Sequence, residues 1–480
     1  MPDARSNDET TLETLNDTGG DEDRAAPRPV GIGFVVLWSM DEPTFIGAWL
    51  PVTSGTNRGP RLLGRGPARA DDEFPRLSSL RQRPEQNELL PPFGSEALSR
   101  VQLVIRSQSS VELEVENRGR RRLSVNGVEL ARCAVRPGDV LELGNRLVLL
   151  CAARPMGLGG SPAHAEHAFG GADAHGLVGE SPAAWQLRTE IAFAARRNGH
   201  VLILGPTGSG KELVAESLHA LSARPGALVS RNAATLPEAL VDAELFGNPK
   251  GYPNPGIPER EGLIGAAHRG SLFLDEFADL PSGAQAHVLR VLDSGEYQRL
   301  GESQNRTSDF RLIAATNRPE SALRADLLAR FDFRIRVPDL AARREDAPLL
   351  LRHLFAEVTR DDPDLRARYA LENGLPRLAP GFVRRLVQHP FSANVRELRY
   401  LLWRAVAESS DDALEWPGDA EAPVEQPGDE LPAAKLQRAL DDNNGSLEKT
   451  WRALGLPNRY VLRRLVAKHG LTVTRRGPRA

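Results

Sequence analysis

From Val30 to about Leu150 the apolar residues fall on alternate positions in short runs. Val101-Gln102-Leu103-Val104-Ile105 and Val111-Glu112-Leu113-Glu114-Val115 carry the two-residue period of strands with one covered face. Asn126-Gly127 is a tight hairpin signal, and Val140-Leu141-Glu142-Leu143-Gly144 with Arg146-Leu147-Val148-Leu149-Leu150 reads as a closing hairpin. Residues 30–151 are therefore expected to form a β-sandwich. Further on the pattern changes. Apolar runs such as Val201-Leu202-Ile203-Leu204, Leu272-Phe273-Leu274 and Leu312-Ile313-Ala314-Ala315 are separated by helix-compatible segments. Buried parallel strands with intervening helices predict a doubly wound α/β core over 176–338, followed by a helical lid over 339–410. Residues 431–480 read as all-α. Leu431 to Asp442 is amphipathic, Asn443-Asn444-Gly445 breaks it, and Ser446 is a candidate N-cap for a short helix to Leu454. A turn at Gly455 to Asn458 leads to a basic helix from Arg459 to His469, ended by Gly470, which makes a helix-turn-helix unit.

The intervening stretches are of different composition. Residues 1–28 are rich in Asp, Glu, Thr and Asn with few large apolar side chains, and are expected to be disordered. Residues 152–175 are Gly, Ala, His and Pro-rich and read as a linker, with His164, His167 and His175 as solvated loop residues. Residues 411–430 read as a second, acidic linker; from 408 to 430 there are nine acidic residues and no Lys or Arg. At a net charge of −3 the whole chain does not have the balance of a nucleic-acid binder, but residues 431–480 hold eleven Lys plus Arg against three acidic residues. That basic terminal module implies an anionic partner. No apolar stretch approaches the ~18 residues of a membrane span. The polar start and the two cysteines, Cys133 and Cys151, fit a reducing cytoplasm, with both thiols as small core residues.

The chemistry begins at Gly205-Pro206-Thr207-Gly208-Ser209-Gly210-Lys211-Glu212. Strand, glycine loop, then helix with Lys after the last Gly is a phosphate-binding loop. Its glycines turn backbone N–H groups toward phosphate oxygens, the helix N-terminus adds positive potential, and Lys211 reaches the outer phosphates. Glu212 stands where the general motif has the Ser or Thr that touches magnesium. The run Gly270 to Leu274 ends in Asp275-Glu276: the first carboxylate suits a magnesium ion, the second the polarisation of an attacking water. Asn317, ending another buried strand, suits orienting water or sensing a γ-phosphate.

Two further sets of motifs carry family resemblances. Leu63-Gly64-Arg65, Leu98-Ser99-Arg100, Val125-Asn126-Gly127 and Pro137 to Gly144 resemble, in order, the forkhead-associated (FHA) domain. The resemblance implies phosphothreonine-peptide binding, with Arg65 and Ser99 on the phosphate and Arg100 nearby. An Arg pairs bidentately with phosphate and a Ser hydroxyl adds a bond. Three departures stand out: Gln102 where the family has His, Arg121-Arg122-Leu123 where it has Asn-Gly-Thr, and a Pro-rich insertion between Arg65 and Ser99. A structural sandwich with Arg65 in a surface ion pair is the alternative.

The phosphate loop, Glu244-Leu245-Phe246-Gly247, Gly270 to Glu276, Ala314-Ala315-Thr316-Asn317 and Asn394-Val395-Arg396-Glu397-Leu398 resemble the AAA+ domain of bacterial enhancer-binding proteins, the sigma-54-dependent transcription activators. In that family Glu commonly follows the loop Lys, as Glu212 does here. The resemblance implies ATP and Mg2+ as cofactors, with Lys211 on phosphates, Asp275 on magnesium, Glu276 activating water and Asn232 as its switch. Asn317 and Arg396 match the two sensors. Arg324 and Arg330 match the arginine fingers that reach a neighbouring subunit's ATP, which implies a homo-oligomeric ring, usually a hexamer. The loop Gly251-Tyr252-Pro253-Asn254-Pro255-Gly256 stands where the family's sigma-54-contacting loop stands, with Pro253 and Asn254 at the Phe and Thr positions and Tyr252 as an aromatic one residue early. The terminal module resembles a Fis-type DNA-binding domain. Asn458, Arg459, Arg463 and Arg464 would face DNA at upstream activating sites, with Lys468, Arg475, Arg476 and Arg479 on phosphates.

The expected protein is thus a cytoplasmic, ATP-driven transcription regulator whose partners are DNA, RNA polymerase with sigma-54 and a phosphothreonine protein. Two alternatives stay open. One is a DNA-bound ATPase that acts on another target or represses, on the ground of the changed loop. The other is a phosphopeptide-dependent scaffold with ATP-controlled assembly.

Overall fold

A computed structural model describes residues 29–53, 59–159, 166–418 and 433–443, together with Thr450 and Leu454. The alternating runs form a two-sheet sandwich. The larger sheet runs, in hydrogen-bonded order, Gln86–Leu89, Leu80–Arg83, Trp49–Pro51, Val30–Ser39, Leu147–Pro155, Val140–Leu143, Leu123–Val125 and Val128–Glu129. The smaller runs Arg132–Val135, Leu113–Asn117, Leu103–Ser107 and Arg61–Leu63. Phe34, Leu141 and Leu149 of one sheet meet Leu63, Ile105 and Val115 of the other in a single buried core. Asn126 and Gly127 both take positive φ, 52° and 88°, and join the paired residues Val125 and Val128 as the sequence predicts.

The outer face of the larger sheet is also covered. Strand Val30–Ser39 is buried from Gly31 onward. Ile32, Phe34 and Val36 face the sandwich interior, and Val35 and Leu37 face out. A register shift between Val36 and Trp38 then turns Trp38 to the same outer side as Leu37. There Trp38, Trp49, Val148 and Leu150 share one apolar cluster with Leu349, Phe355, Leu386 and Leu402 of the helical lid. Polar links rim the contact: Arg384 Nε donates to Glu142 at 3.0 Å, Gln388 to Asn126 at 3.3 Å, and Arg154 Nη2 to Glu345 at 2.7 Å.

The α/β core holds five parallel strands in the order Leu228–Asn232, Ser271–Asp275, Arg311–Thr316, His200–Leu204, Phe331–Arg336. Helices Pro182–Ala195 and Lys211–Leu221 cover one face through Leu187, Ile191, Val214 and Leu218, and helices Val241–Phe246 and Ser282–Ser294 cover the other through Leu245 and Val288. With both faces covered, the strands need continuous apolar runs. The lid consists of Ala347–Val358, Pro363–Tyr369, Phe382–Gln388 and Asn394–Glu408.

The stretch 152–175 departs from the expected linker. Residues 152–155 finish the last sandwich strand, and in 166–175 Gly170 is buried and most of the others are half-buried, with Glu166, Ala168 and Ala174 exposed. His167, expected in solvent, is buried: its ring stacks on Trp185 and lies 3.6 Å from Glu180. Glu180 also accepts from the Gly170 N–H at 2.7 Å, Arg83 of the sandwich at 3.0 Å and Trp185 at 3.1 Å. His164 lies outside the described residues. In the terminal module helix Ala433–Asp442 matches the first expected helix. The basic segment beyond Leu454, with Asn458, Arg459, Arg463, Arg464, Lys468, Arg475, Arg476 and Arg479, lies outside the described residues. No helix among the described residues is long and apolar enough to cross a membrane.

Candidate active site and the loops around it

The site grows from the C-terminal ends of the parallel strands. After His200–Leu204 the chain turns through the glycine loop, with Gly208 and Gly210 at φ 75° and 103°, and enters helix Lys211–Leu221 at Lys211. These left-handed conformations expose the loop's N–H groups at the helix N-terminus. Lys211 is buried, its Nζ donating to the Gly205 carbonyl at 3.0 Å. Ser209 Oγ is buried with no hydrogen-bond partner. A preformed cradle of donors, one lysine and one orphaned hydroxyl fits a polyphosphate. Glu212 is exposed in the first helical turn, away from the buried face that holds Lys211.

Opposite the loop, strand Ser271–Asp275 delivers Asp275, in register with Asn232 at the end of the neighbouring strand. Asn232 Oδ1 accepts from the Ala234 N–H at 2.9 Å. Glu276 has a left-handed backbone, φ 50°, and its N–H donates to Asp275 Oδ1 at 3.0 Å. Burial pushes the Glu276 carboxyl above its ordinary range; Lys211 opposes the rise, Asp275 adds to it and the Asn317 backbone N–H opposes it. Such a carboxylate is a stronger proton acceptor than one in water. Asn317 Nδ2 donates to Thr207 Oγ1 at 3.2 Å, tying that strand end to the loop. Lys211, the consecutive Asp275 and Glu276, and Asn317 thus converge from three distant parts of the sequence, and their chemistry fits a magnesium-bound nucleoside triphosphate.

The lid completes the pocket. Val395 N–H donates to Gly208 O at 3.1 Å, and Asn394 Nδ2 to Thr207 O at 3.0 Å. A side chain at 208 would strike the Ala393 carbonyl and the Arg396 Cβ, so Gly208 is what lets Arg396 stand over the loop. Asn394 is buried and also accepts from the Leu340 N–H at 2.7 Å. Below the loop, buried Arg343 donates to Ser209 O at 3.3 Å. Asp346, likewise buried, accepts from the Glu180 and Ser181 N–H groups and the Ser181 hydroxyl. Sequence reading missed Asn394, Arg343 and Asp346; Asn394 opens the quoted Asn-Val-Arg-Glu-Leu motif, and the other two stand in a charged run without a distinguishing pattern.

Arg324 and Arg330 lie at the surface on either side of helix Ala325–Leu328. Within the chain they pair with Asp326 (2.6 Å) and Asp293 (2.5 Å). Gly251, Tyr252, Pro253, Asn254, Pro255 and Gly256 form a compact loop closed at its base by buried Asn248, whose side chain donates to the Pro249 and Pro258 carbonyls at 3.0 Å. The Tyr252 ring lies against Gly301, where a Cβ would collide with it.

In the sandwich, Arg65 and Ser99 are brought together: Arg65 N–H donates to Ser99 O at 3.0 Å. Ser99 Oγ accepts from the Arg120 N–H at 2.9 Å. Arg65 Nη1 is 3.9 Å from Glu96, and Arg100 Nη2 is 3.3 Å from Pro67 O. Gln102 is buried; it accepts from the Ser99 N–H and donates to Asn117 Oδ1 and Arg121 O. It fastens the Ser99 loop to the 117–121 loop.

Residues 177–340 match the family model described as the Sigma-54 interaction domain. The chain is 41% identical over 243 residues to transcriptional regulator VasH of Vibrio cholerae serotype O1, covering 49% of this chain and 44% of VasH. It is 37% identical over 346 residues to the anaerobic nitric oxide reductase transcription regulator NorR of Enterobacter sp., covering 65% of each. With transcriptional regulatory protein ZraR of Escherichia coli K12 it shares 36% identity over 309 residues, covering 60% of this chain and 68% of ZraR. The chain thus spans under half the length of VasH and about two thirds of NorR and ZraR. Among solved structures, NtrX from Brucella abortus in complex with ATP is similar at TM-score 0.45 and 30% identity, over 62% of this chain and 69% of that one. Taken with the motifs converging at the glycine loop, the match over two thirds of ZraR means that the chain belongs to the family of transcriptional regulators that carry the sigma-54 interaction domain.

Proposed function

We propose that this chain is an ATP-hydrolysing, ring-forming transcription regulator that remodels RNA polymerase holding sigma-54. The observation that carries the reading is the convergence of Lys211, Asp275, Glu276 and Asn317 beneath a lid that sets Arg396 over the same loop. Bound ATP with Mg2+ supplies the transferable phosphoryl group and the neutralising cation. Lys211 and the N–H groups of the glycine loop hold the phosphates, and Asp275 holds the metal. Glu276 takes a proton from the attacking water, which Asn317 helps to orient. Arg324 and Arg330 leave their own carboxylates to act on a neighbouring copy's site, and Asn232 sets the poise of Glu276. Residues 431–480 dock the ring on DNA, and Arg65, Ser99 and Arg100 read a phosphothreonine.

The test is ATP turnover by the full chain and by Glu276→Gln. Turnover in the parent that the variant loses, with ATP binding retained, supports the enzyme and excludes the scaffold reading. No turnover in the parent overturns it. One observation favours a second reading of the target: loop 251–256 carries Pro253 and Asn254 where family members carry Phe and Thr, and its Tyr252 is seated on Gly301. A stable complex with sigma-54 in the presence of ADP–aluminium fluoride, lost in Tyr252→Ala, supports the sigma-54 target. Turnover without any complex points to another target.

A further inference from the structure

Beside the loops that carry Arg65 and Ser99 lies a cavity of about 370 Å³ that the family resemblance does not account for. It is built by the insertion between Arg65 and Ser99. Leu77 N–H donates to Leu62 O at 2.8 Å and Gly66 N–H to Phe93 O at 2.7 Å, which folds the insertion back over the sheet. Leu50, Leu63, Leu77, Leu90 and Phe93 line the cavity, with Gly64 and Gly66, the two neighbours of Arg65, at its edge. An apolar recess thus opens next to an arginine site.

The segment 1–28 has the complementary chemistry. It carries eight acidic residues against three basic ones. Its two leucines, Leu12 and Leu15, are interleaved with Thr10, Thr11 and Thr14. The opposing loops present Arg65, Arg100 and the exposed Arg120, Arg121 and Arg122. Reach is sufficient. Strand Val30–Ser39 starts at Pro155 and ends near Asp41, whose carboxylate accepts from Ser95 Oγ at 2.6 Å, so the site lies about one ten-residue strand away, roughly 33 Å. The fifteen residues from Thr14 to Arg28 span up to roughly 50 Å when extended.

We propose that the chain's own N-terminal segment is the ligand of this site once Thr10, Thr11 or Thr14 is phosphorylated, with the phosphate on Arg65 and Arg100 and Leu12 or Leu15 in the cavity. The inference rests on the phosphothreonine reading of the sandwich. A Ser/Thr kinase supplies the modification: the threonine Oγ–P bond forms, the bond from the γ-phosphorus of the kinase's ATP to ADP breaks, and the hydroxyl proton leaves to the kinase's base.

The test titrates the full, unphosphorylated chain with fluorescent peptides of residues 5–20 bearing phosphothreonine at 10, 11 or 14. At least one binds, on the order of 30-fold or more tighter than the unphosphorylated peptide, and Arg65→Ala removes that difference. Replacing both leucines by Asp in the peptide weakens binding, and so does Ala68→Trp, a surface change at the mouth of the cavity. A chain carrying phosphothreonine at the preferred position no longer takes up the labelled peptide at any dilution. An unrelated phosphothreonine peptide that binds where none of the N-terminal peptides does overturns the self-ligand and leaves the sensor. Absence of binding by every phosphopeptide overturns both.

Discussion

Replacing Trp38 by Ala removes the side chain that the register shift in strand Val30–Ser39 turns toward the lid. Trp38 is 2% exposed and shares its cluster with Leu349, Phe355 and Leu386. A tryptophan buries about 150–250 Å², and truncating one in a core costs ~3–5 kcal/mol. Most of that loss falls on the contact between sandwich and lid, because the sandwich's own core is filled by Phe34 and its neighbours on the opposite face. In a cooperative unit of roughly 150–250 residues each kcal/mol shifts Tm by about 2–4 °C, so the drop is on the order of 6–20 °C. Differential scanning calorimetry of the full chain checks it. The parent melts sandwich and lid in one transition, whereas Trp38→Ala separates them and the lid melts first. A variant that keeps a single transition within about 2 °C of the parent would refute the claim that the two share a core.

Three further outcomes follow from the geometry. Glu276→Gln lowers ATP turnover by about 10²–10⁴-fold, and in the parent the acid limb of the rate profile lies above the ordinary glutamate range. The sign follows from the raised pKa: the base must be deprotonated, so activity falls as pH drops through a value that burial has moved upward; a limb at the ordinary value would contradict the assignment. Asn394→Ala leaves the Thr207 carbonyl and the Leu340 N–H without their partner, and the resulting ~1–3 kcal/mol weakens nucleotide binding about 5–150-fold in a titration; unchanged affinity would sever the lid from the loop. Cys151, buried and with its thiol pushed up to about 12 by burial, resists a thiol reagent in the native protein and reacts on denaturation, while half-buried Cys133 reacts first.

How much of this could be read in advance depends on where each residue's partners lie. Strands such as Ser271–Asp275 and Arg311–Thr316 were legible because burial on both faces demands an unbroken apolar run, and the polar residue that ends the run falls at the sheet edge, where chemistry happens. The glycine loop was legible because φ near +75° and +103° selects glycine. The contact between sandwich and lid was not, although Ile32 to Trp38 contains no polar residue, which already contradicts a sheet with one wet face. Which element covers that second face is set by distant packing. In the sequence Gln102 stands out only as a departure from a motif; the positions of Asn117 and Arg121 reveal it as a fastener between two loops. The burial of the His167 ring is hidden from the sequence for the same reason, since it depends on how Glu180 and Trp185 fold back over it.

Arg324 and Arg330 each rest on a nearby carboxylate, Asp326 and Asp293, at the protein surface. Exposed pairs of this kind contribute little to stability, because water and salt screen them. Giving one up in exchange for a phosphate on an adjacent copy, as proposed above, would therefore cost little free energy. In the ring proposed above, subunits built this way would meet and part freely, and commitment to assembly would pass to the nucleotide, which would make it responsive to the ATP supply and sensitive to salt.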